Sequence, residues 1–542
     1  MFIKAIIFDL DDTLYDYKNA DKISYAKVIK YLVQIKKCTT SEILPFLSEA
    51  KELVKKTLSS HTSSHNRILY FQKISELLNL SYEEVDKIND IYWQTFYNSI
   101  TPRDGVIELF EYLKENRIKI AILTNFTTEH QYKKLIKLGL LKYIDTFVSS
   151  EEIGVEKPDK RAFLSVINKL GIPTSSLLMV GDDFESDIRG AIQNNIYAAY
   201  FSSSKILTAN HDYLTFNKFE QLLKLIQDLT TAINQLYTLC NRYGQRFDLT
   251  QAGGGNISVK VSFGDKTLLI IKASGFALAD VSKDTGYVIL NNDNPTEKLL
   301  LKTILRPSIE TAMHSLLQTY TVHLHAIQAI HLLVKKDAKN IINSLFPKSL
   351  FIEYFTPGEE LANAVQKVYN SEKLIFLKNH GILLTSTYIS DFDIILDEIN
   401  KKIEQILSVQ INQYKIVNLI SDRLELIFKK KFVTYLIEDK IILNHLLDQK
   451  LLDQITTPDK LVYCGVKVLR DLESLESFKE PPSLVLYKDQ LFSVAYSLKK
   501  CKEIVDVFKA HLLFSSKEDE ELNKEEIKYL LGWDAEKYRK RL

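Results

Sequence analysis

The sequence predicts an α/β protein with two sheet-bearing domains in succession, on three observations. Beyond Pro102 and Gly105, β-branched apolar runs alternate with segments of helical period, the pattern of a parallel sheet covered by helices on both faces. A glycine-poor stretch of helical pattern, residues 15–99, separates the first strand from that alternation. Near residues 219–229 the rhythm changes without a Pro- or Gly-rich linker, and a helix over about 223–243 leads into Gly253-Gly254-Gly255. With 17 glycines in 542 residues, three in a row mark a tight backbone site. The boundaries expected are 1–225, with the helical insertion at 15–99, then 228–408, then a Lys/Ile/Leu-rich extension at 409–542.

In chain order, the β-branched apolar run at 3–8 reads as a buried strand. Residues 118–123, 146–148 and 177–180 read as further strands, and 129–138, 161–170 and 188–193 as the helices between and after them. In the second half, residues 320–325 and 374–377 read as strands.

Composition excludes several classes. Hydrophobic residues make up 46% and charged residues 26%, ordinary for a globular chain with a real core. Lys+Arg is 70 against Asp+Glu 69, so there is no overall field to draw in nucleic acid or an anionic membrane, and neither is expected as a partner. The four cysteines, Cys38, Cys240, Cys464 and Cys501, are scattered, against a disulfide framework or a cysteine zinc site and in keeping with a reducing compartment. The first residues do not read as a signal peptide, and no apolar run reaches the roughly 18 residues of a membrane span, so a cytoplasmic protein is expected.

Four short pieces carry candidate chemistry in the first half. Asp9-Leu10-Asp11-Asp12-Thr13 follows the first strand, where residues two apart share a face. Asp9 and Asp11 would repel each other unless a proton or a cation such as Mg2+ sits between them. Thr124-Asn125 follows the strand at 118–123 with a hydroxyl and backbone N–H groups suited to a phosphate oxygen. Gly154-Val155-Glu156-Lys157-Pro158-Asp159 offers Lys157 as a point charge beside a rigid proline. Gly181-Asp182-Asp183-Phe184-Glu185-Ser186-Asp187 adds carboxylates after the strand at 177–180. Each alone has an ordinary explanation as an acidic loop, a turn or a helix start. Together they fall at the carboxyl ends of predicted strands, which share one rim in a parallel sheet.

In order and sequence these pieces resemble the haloacid dehalogenase-like hydrolase superfamily, over about residues 1–225. The resemblance implies a Rossmann-like parallel sheet with a helical cap over 15–99. It makes Asp9 the nucleophile and Asp11 the general acid/base, and has Thr124, Asn125 and Lys157 hold the phosphoryl group. Asp9, Asp11, Asp182 and Asp187 are expected around Mg2+; Asp182 matches the motif better than Asp183, without deciding which faces the metal. An acid at Asp11 favours a phosphatase over a dehalogenase, because a leaving alkoxide needs a proton and a leaving halide does not. Within the insertion, His65-Asn66-Arg67 reads as a polar surface turn more readily than as a substrate contact.

The second half carries a histidine constellation. His323 and His325 are two apart on a predicted strand and so share a face. His380 follows another strand, next to Gly381. Three neutral imidazoles leave a fourth zinc position open, the catalytic pattern. Glu310 and His314 are i, i+4 on a predicted helix. Gly254-Gly255-Asn256-Ile257-Ser258 and Lys272-Ala273-Ser274-Gly275 offer small residues, hydroxyls and backbone N–H groups suited to a phosphate.

Together these resemble the class II aldolase/adducin family, and most closely the aldolase half of bifunctional rhamnulose-1-phosphate aldolase/lactaldehyde dehydrogenase proteins, over about residues 228–542. The likeness extends to Thr457-Pro458-Asp459-Lys460-Leu461-Val462-Tyr463 and Trp533-Asp534-Ala535-Glu536-Lys537-Tyr538-Arg539. It implies an α/β/α domain in which His323, His325 and His380 bind Zn2+ and Glu310 is the base. Asn256, Ser258, Ser274, Gly275 and Ser308 would hold substrate phosphate. Ile309 stands where small aldolases have a second serine, and Lys272-Ala273 replaces their usual Thr-Pro. The expectation is a bifunctional enzyme, a Mg2+-dependent phosphatase joined to a Zn2+-dependent aldolase, acting on phosphorylated sugars or related hydroxy-carbonyl compounds. A homo-oligomer is implied, a tetramer by resemblance. The alternatives are an epimerase, dehydratase or decarboxylase at the zinc site, or an adducin-like interaction module.

Overall fold

The computed structural model describes residues 3–58, 65–203, 208–209, 213–264, 266–296, 305–406 and 411–532. The motif at 533–539 lies outside them. The chain divides into two compact units, Met1–Thr231 with Val261–Leu268 and Ile289–Ile304, and Ala232–Lys260 with Leu269–Val288 and Leu305–Leu542.

The first unit is built on a seven-stranded sheet in the order β3-β2-β1-β4-β5-β7-β6. Its strands are β1 (Ala5–Phe8), β2 (Lys119–Thr124), β3 (Thr146–Ser149), β4 (Leu177–Gly181), β5 (Tyr197–Phe201), β6 (Thr208–Ala209) and β7 (Tyr213–Phe216). Pairing is parallel from β3 through to β7, as the strand–helix alternation predicts. β1 is central and fully buried, which is why it reads as an unbroken apolar run rather than an alternating one. Ile7, Ala121, Met179 and Ala198 form one core layer with Phe163 and Val166.

After β1 the chain leaves the sheet for four helices, α1 (Tyr17–Lys36), α2 (Thr40–Thr57), α3 (Arg67–Leu77) and α4 (Tyr82–Ser99), the expected cap. It returns through α5 (Val106–Glu115), and α6 (Thr128–Lys137) follows β2. Asp16 caps α1 by accepting from Asn19 N, and Asn66 caps α3 by accepting from Ile68 N. The reading of His65-Asn66-Arg67 as a surface turn is corrected here: Arg67 is buried, 3.2 Å from Asp21 Oδ1 and from the Tyr92 hydroxyl. A buried guanidinium needs such partners, and they lie on α1 and α4.

The second sheet has the order β10-β9-β8-β11-β14-β13-β12. Its strands are β8 (Asn256–Phe263), β9 (Lys266–Lys272), β10 (Tyr287–Asn291), β11 (Tyr320–Leu324), β12 (Leu350–Ile352), β13 (Leu374–Leu377) and β14 (Gly381–Ser386). β11 lies antiparallel between β8 and β14, with His323 opposite Asn256 on one side and Leu383 on the other. Residues 433–436, 484–487 and 490–495 form a separate three-stranded antiparallel sheet. Gln245 ties this sheet to the segment before β8, since its buried Oε1 accepts from Ser421 Oγ at 2.8 Å and from Thr434 N at 2.9 Å. Gln245→Leu leaves the buried Thr434 N–H without its acceptor, so urea unfolding should show a loss of about 1–3 kcal/mol.

Candidate active sites

The four pieces at the first sheet's rim come together. Phe8 and Val180 are partners across β1 and β4, so Asp9 and Gly181-Asp182 leave the sheet side by side. Asp187 lies on the turn Phe184–Arg189, and a Cβ at Gly181 would fall on its carboxylate, so glycine there lets Asp187 approach the strand end. One carboxylate oxygen from each of Asp9, Asp182 and Asp187 lies within 4.8 Å of the others. Lys157 Nζ is 2.6 Å from both Asp9 Oδ1 and Asp187 Oδ1. The Thr13 hydroxyl sits 3.1 Å from Asp9 Oδ2 and 2.9 Å from Asp182 Oδ1. Asp183 is turned away and accepts from Ser186 N at 2.8 Å, so Asp182 is the one that faces this group.

Burial pushes the Asp9 carboxyl up to about 7 against the pull of Lys157, with Asp187 adding to the rise. Burial, and then Asp9 beside it, push Asp182 up to about 7 as well. Burial raises Asp187 despite Lys157. Burial works against the charge on Lys157, but Asp187 and Asp9 more than offset it and hold the ammonium above the usual lysine range. Three crowded carboxylates facing one ammonium are the donor set of a hard dication, and they fit Mg2+.

Two expectations are corrected, the Asp11 carboxylate as a metal ligand and Asn125 as a phosphate contact. Asp11 stands outside the carboxylate group, with Lys134 Nζ 2.8 and 2.9 Å from its two oxygens, Gln131 Nε2 3.2 Å away and the Tyr15 hydroxyl bonded to it. Asn125 does not present its amide to a phosphate. Its Oδ1 accepts from Lys157 N at 2.8 Å and its Nδ2 donates to Lys157 O at 3.2 Å, so it positions Lys157 instead. Thr124 is buried, its hydroxyl 2.5 Å from Gln131 Nε2. Gln131 and Lys134 are not among the residues the sequence singles out. Their i, i+3 spacing on the helix after Thr124 was the available signal.

In the second unit one ring nitrogen from each of His323, His325 and His380 lies within 4.8 Å of the other two. Ring centroids are 4.8–5.3 Å apart. His323 Nδ1 donates to the Ile382 carbonyl at 3.0 Å, which fixes the tautomer and leaves Nε2 a bare acceptor. That Nε2 is buried with no hydrogen-bond partner, the condition of an unmet ligand atom. Burial pushes all three imidazoles down to about 4, so they are neutral and able to ligate. This set fits Zn2+. Glu310 Oε1 is 3.3 Å from His323 Nε2 and 3.5 Å from His380 Nε2, and burial raises its carboxyl against the pull of His380 and His325.

Glu310 directly precedes a short helix, Thr311–Leu316, so it is the cap residue of that helix rather than a position on it as expected. His314 is fully buried, its Nδ1 2.8 Å from Ser258 Oγ. Ser258 is therefore also corrected, because its hydroxyl lies in the interior and is taken by His314. The Asn256 side chain lies beside Glu310 and opposes the rise that burial gives its carboxyl. Ser274 and Gly275 form an exposed turn, and Ser308 Oγ accepts from Glu310 N at 3.3 Å. Lys272 is buried and donates to Phe276 O at 2.7 Å and Gly253 O at 3.3 Å, joining the Ser-Gly turn to the triple-glycine turn.

Residues 3–195 match the haloacid dehalogenase-like hydrolase family, and residues 234–391 match the Class II Aldolase and Adducin N-terminal domain. A ribulose-1,5-bisphosphate 5-phosphatase of Halopiger xanaduensis is 33% identical over 204 residues, covering 37% of this chain and 85% of that protein. The chain belongs to the haloacid dehalogenase-like hydrolase family. Its hydrolase domain is fused to a class II aldolase/adducin domain, and it is an enzyme whose two domains are of the phosphatase and class II aldolase types. A glyceraldehyde 3-phosphate phosphatase of Methanothermobacter thermautotrophicus is 26% identical over 232 residues, 42% of this chain and 97% of that one. The N-terminal class II aldolase domain of a Thermoplasma acidophilum protein aligns with 20% identity and a TM-score of 0.30, covering 32% of this chain and 92% of that one. No described helix is long and apolar enough to cross a membrane.

A Cβ at Gly254 would stand 2.6 Å from His325 Nδ1, so the triple-glycine turn presses directly on a candidate ligand. Gly254→Ala should weaken metal binding at the imidazole group by roughly tenfold or more, the scale of lost ligand support, as read by metal titration with the fold checked by circular dichroism.

Proposed function

We propose that this chain is a bifunctional enzyme of sugar-phosphate chemistry: a Mg2+-dependent phosphomonoester hydrolase and a Zn2+-dependent aldolase-type lyase. The observation that carries it is the pair of preassembled ligand groups, one of carboxylates and one of imidazoles, the second with the Glu310 carboxyl beside it. The phosphatases similar to its first domain act on ribulose 1,5-bisphosphate and glyceraldehyde 3-phosphate by name, which supports a phosphorylated sugar as substrate.

In the hydrolase domain Asp9, Asp182 and Asp187 would hold Mg2+, which when bound supplies charge neutralisation for the phosphoryl oxygens. An Asp9 carboxylate oxygen attacks phosphorus, and the bond from phosphorus to the ester oxygen breaks with its electron pair left on that oxygen. Asp11 protonates the departing oxygen. Lys157 and Thr124 hold the phosphoryl group. Water then attacks the aspartyl-phosphate, giving up a proton to Asp11 and releasing phosphate and free Asp9.

In the second domain His323, His325 and His380 would hold Zn2+, which when bound supplies Lewis-acid stabilisation for the negative charge left beside a carbonyl. Glu310 moves the proton, being close to the ligands and kept from water by burial. Asn256 orients Glu310, and the Ser274-Gly275 turn with Ser308 forms the polar wall for the substrate's phosphate.

Two variants separate the domains. Asp9→Asn should abolish phosphate release from sugar phosphates and leave carbon–carbon cleavage, followed by NMR of products, within about threefold. His323→Ala should reverse this pattern, losing one zinc per chain by elemental analysis and all lyase activity. Chelation at neutral pH should remove both activities, with magnesium restoring only the first and zinc only the second. A zinc-free wild-type protein with no lyase activity would leave the second domain as an interaction module.

A further inference from the structure

Lys134 takes no part in the chemistry set out above, yet its side chain is completely buried. A buried ammonium costs several kcal/mol unless it is paired. Asp11 supplies the pairing with both oxygens, at 2.8 and 2.9 Å. The rest of the ammonium faces three aromatic rings, with centroids at 4.7 Å for Phe126, 5.3 Å for Tyr17 and 5.4 Å for Phe96. Phe126 follows β2 in the sheet domain, whereas Tyr17 and Phe96 belong to α1 and α4 of the cap.

We propose that Lys134 is a positioning residue that aims the Asp11 carboxyl at the ester oxygen leaving the phosphate, and that the cap completes its setting. The proposal rests on the reading of Asp11 as general acid. A carboxyl gripped at both oxygens keeps its plane, yet the Asp11 side chain remains 23% exposed, so one side stays open to a substrate. The same grip keeps Asp11 out of the Asp9, Asp182 and Asp187 group. Gln131 sets the acid against the phosphate site, donating to Asp11 Oδ2 at 3.2 Å with its Nε2 also 2.5 Å from Thr124 Oγ1. Tyr17 and Phe96 close the ammonium off from water, so displacing the cap would remove two of its three rings and loosen the acid. A cap seated over substrate would thus complete the proton donor as it encloses the ester.

Leaving-group dependence tests this. When the phosphorus–oxygen bond breaks, an alkoxide needs a proton, whereas p-nitrophenolate leaves without one. kcat/KM reports steps through that departure. It would be measured on the Mg2+-loaded full chain for p-nitrophenyl phosphate, phenyl phosphate and glyceraldehyde 3-phosphate. Lys134→Met should lower the alkyl phosphate value about 30- to 100-fold and the p-nitrophenyl value about threefold, a steeper dependence on the leaving group. Lys134→Arg should restore part of the alkyl activity. Phe96→Ala, which removes a cap ring, should steepen the dependence in the same sense by less. A uniform loss across the series in Lys134→Met and Lys134→Arg would reduce Lys134 to a structural role and overturn the proposal. Asp11→Asn distinguishes the two levels: steepening there without steepening at Lys134 sinks the proposal alone, while a uniform loss at Asp11 sinks the acid assignment and the proposal with it.

Discussion

The Lys157 ammonium, 2.6 Å from one oxygen of Asp9 and one of Asp187, makes the rim of the first sheet tenable. β1 and β4 run side by side, so residues just beyond their ends are neighbours whatever their charge. The chain places carboxylates there and buries them, which raises each toward its neutral form. Removing a partner from a buried ion pair typically costs about 3–5 kcal/mol, so the cluster depends on its lysine. The lysine in turn depends on Asn125, which bonds both its backbone N–H and its carbonyl. Asn125 directly follows β2, Lys157 lies beyond β3, and Asp9 and Asp187 follow β1 and β4, so four successive strand ends are tied into one polar network.

The imidazole group meets the same low-polarity surroundings by different means. Histidines buried in the neutral form carry no charge that has to be offset. What they require is close approach and fixed orientation. The antiparallel register of β11 between β8 and β14 sets His323 beside Asn256, and the Ile382 carbonyl holds its ring. Glycine supplies the approach: a Cβ at Gly381 would meet the Leu324 carbonyl, and one at Gly254 would meet the His325 ring. A single chain therefore holds two candidate ligand groups of different chemistry, anionic oxygens beside an ammonium and neutral nitrogens beside the Glu310 carboxyl.

Much of this was legible before folding because it is local. Apolar runs and their period placed the strands, and the four short pieces of candidate chemistry follow strands whose ends a parallel sheet must bring together. His323 and His325 had to share a face once their segment was a strand, although His325 falls just past the end of β11. The failures have a common cause. Asn125, Ser258 and Asp11 are polar residues beside a site, and spacing along the chain does not say which polar group across the fold will claim them. His314 took Ser258 into the interior, the backbone of Lys157 took Asn125, and Lys134 took Asp11.

The sequence by itself determined the order of two α/β domains, the helical insertion in the first, and the side-chain types at each candidate site, because periodicity and strand-end position depend on near neighbours. Only the tertiary structure decided that Asp182 rather than Asp183 faces the carboxylate group and that Arg67 is buried. It also decided that Lys134, unremarked in the sequence, grips Asp11 beneath two cap rings. Those outcomes turn on which desolvated charge finds its partner, and the partners come from helices and strands far apart along the chain.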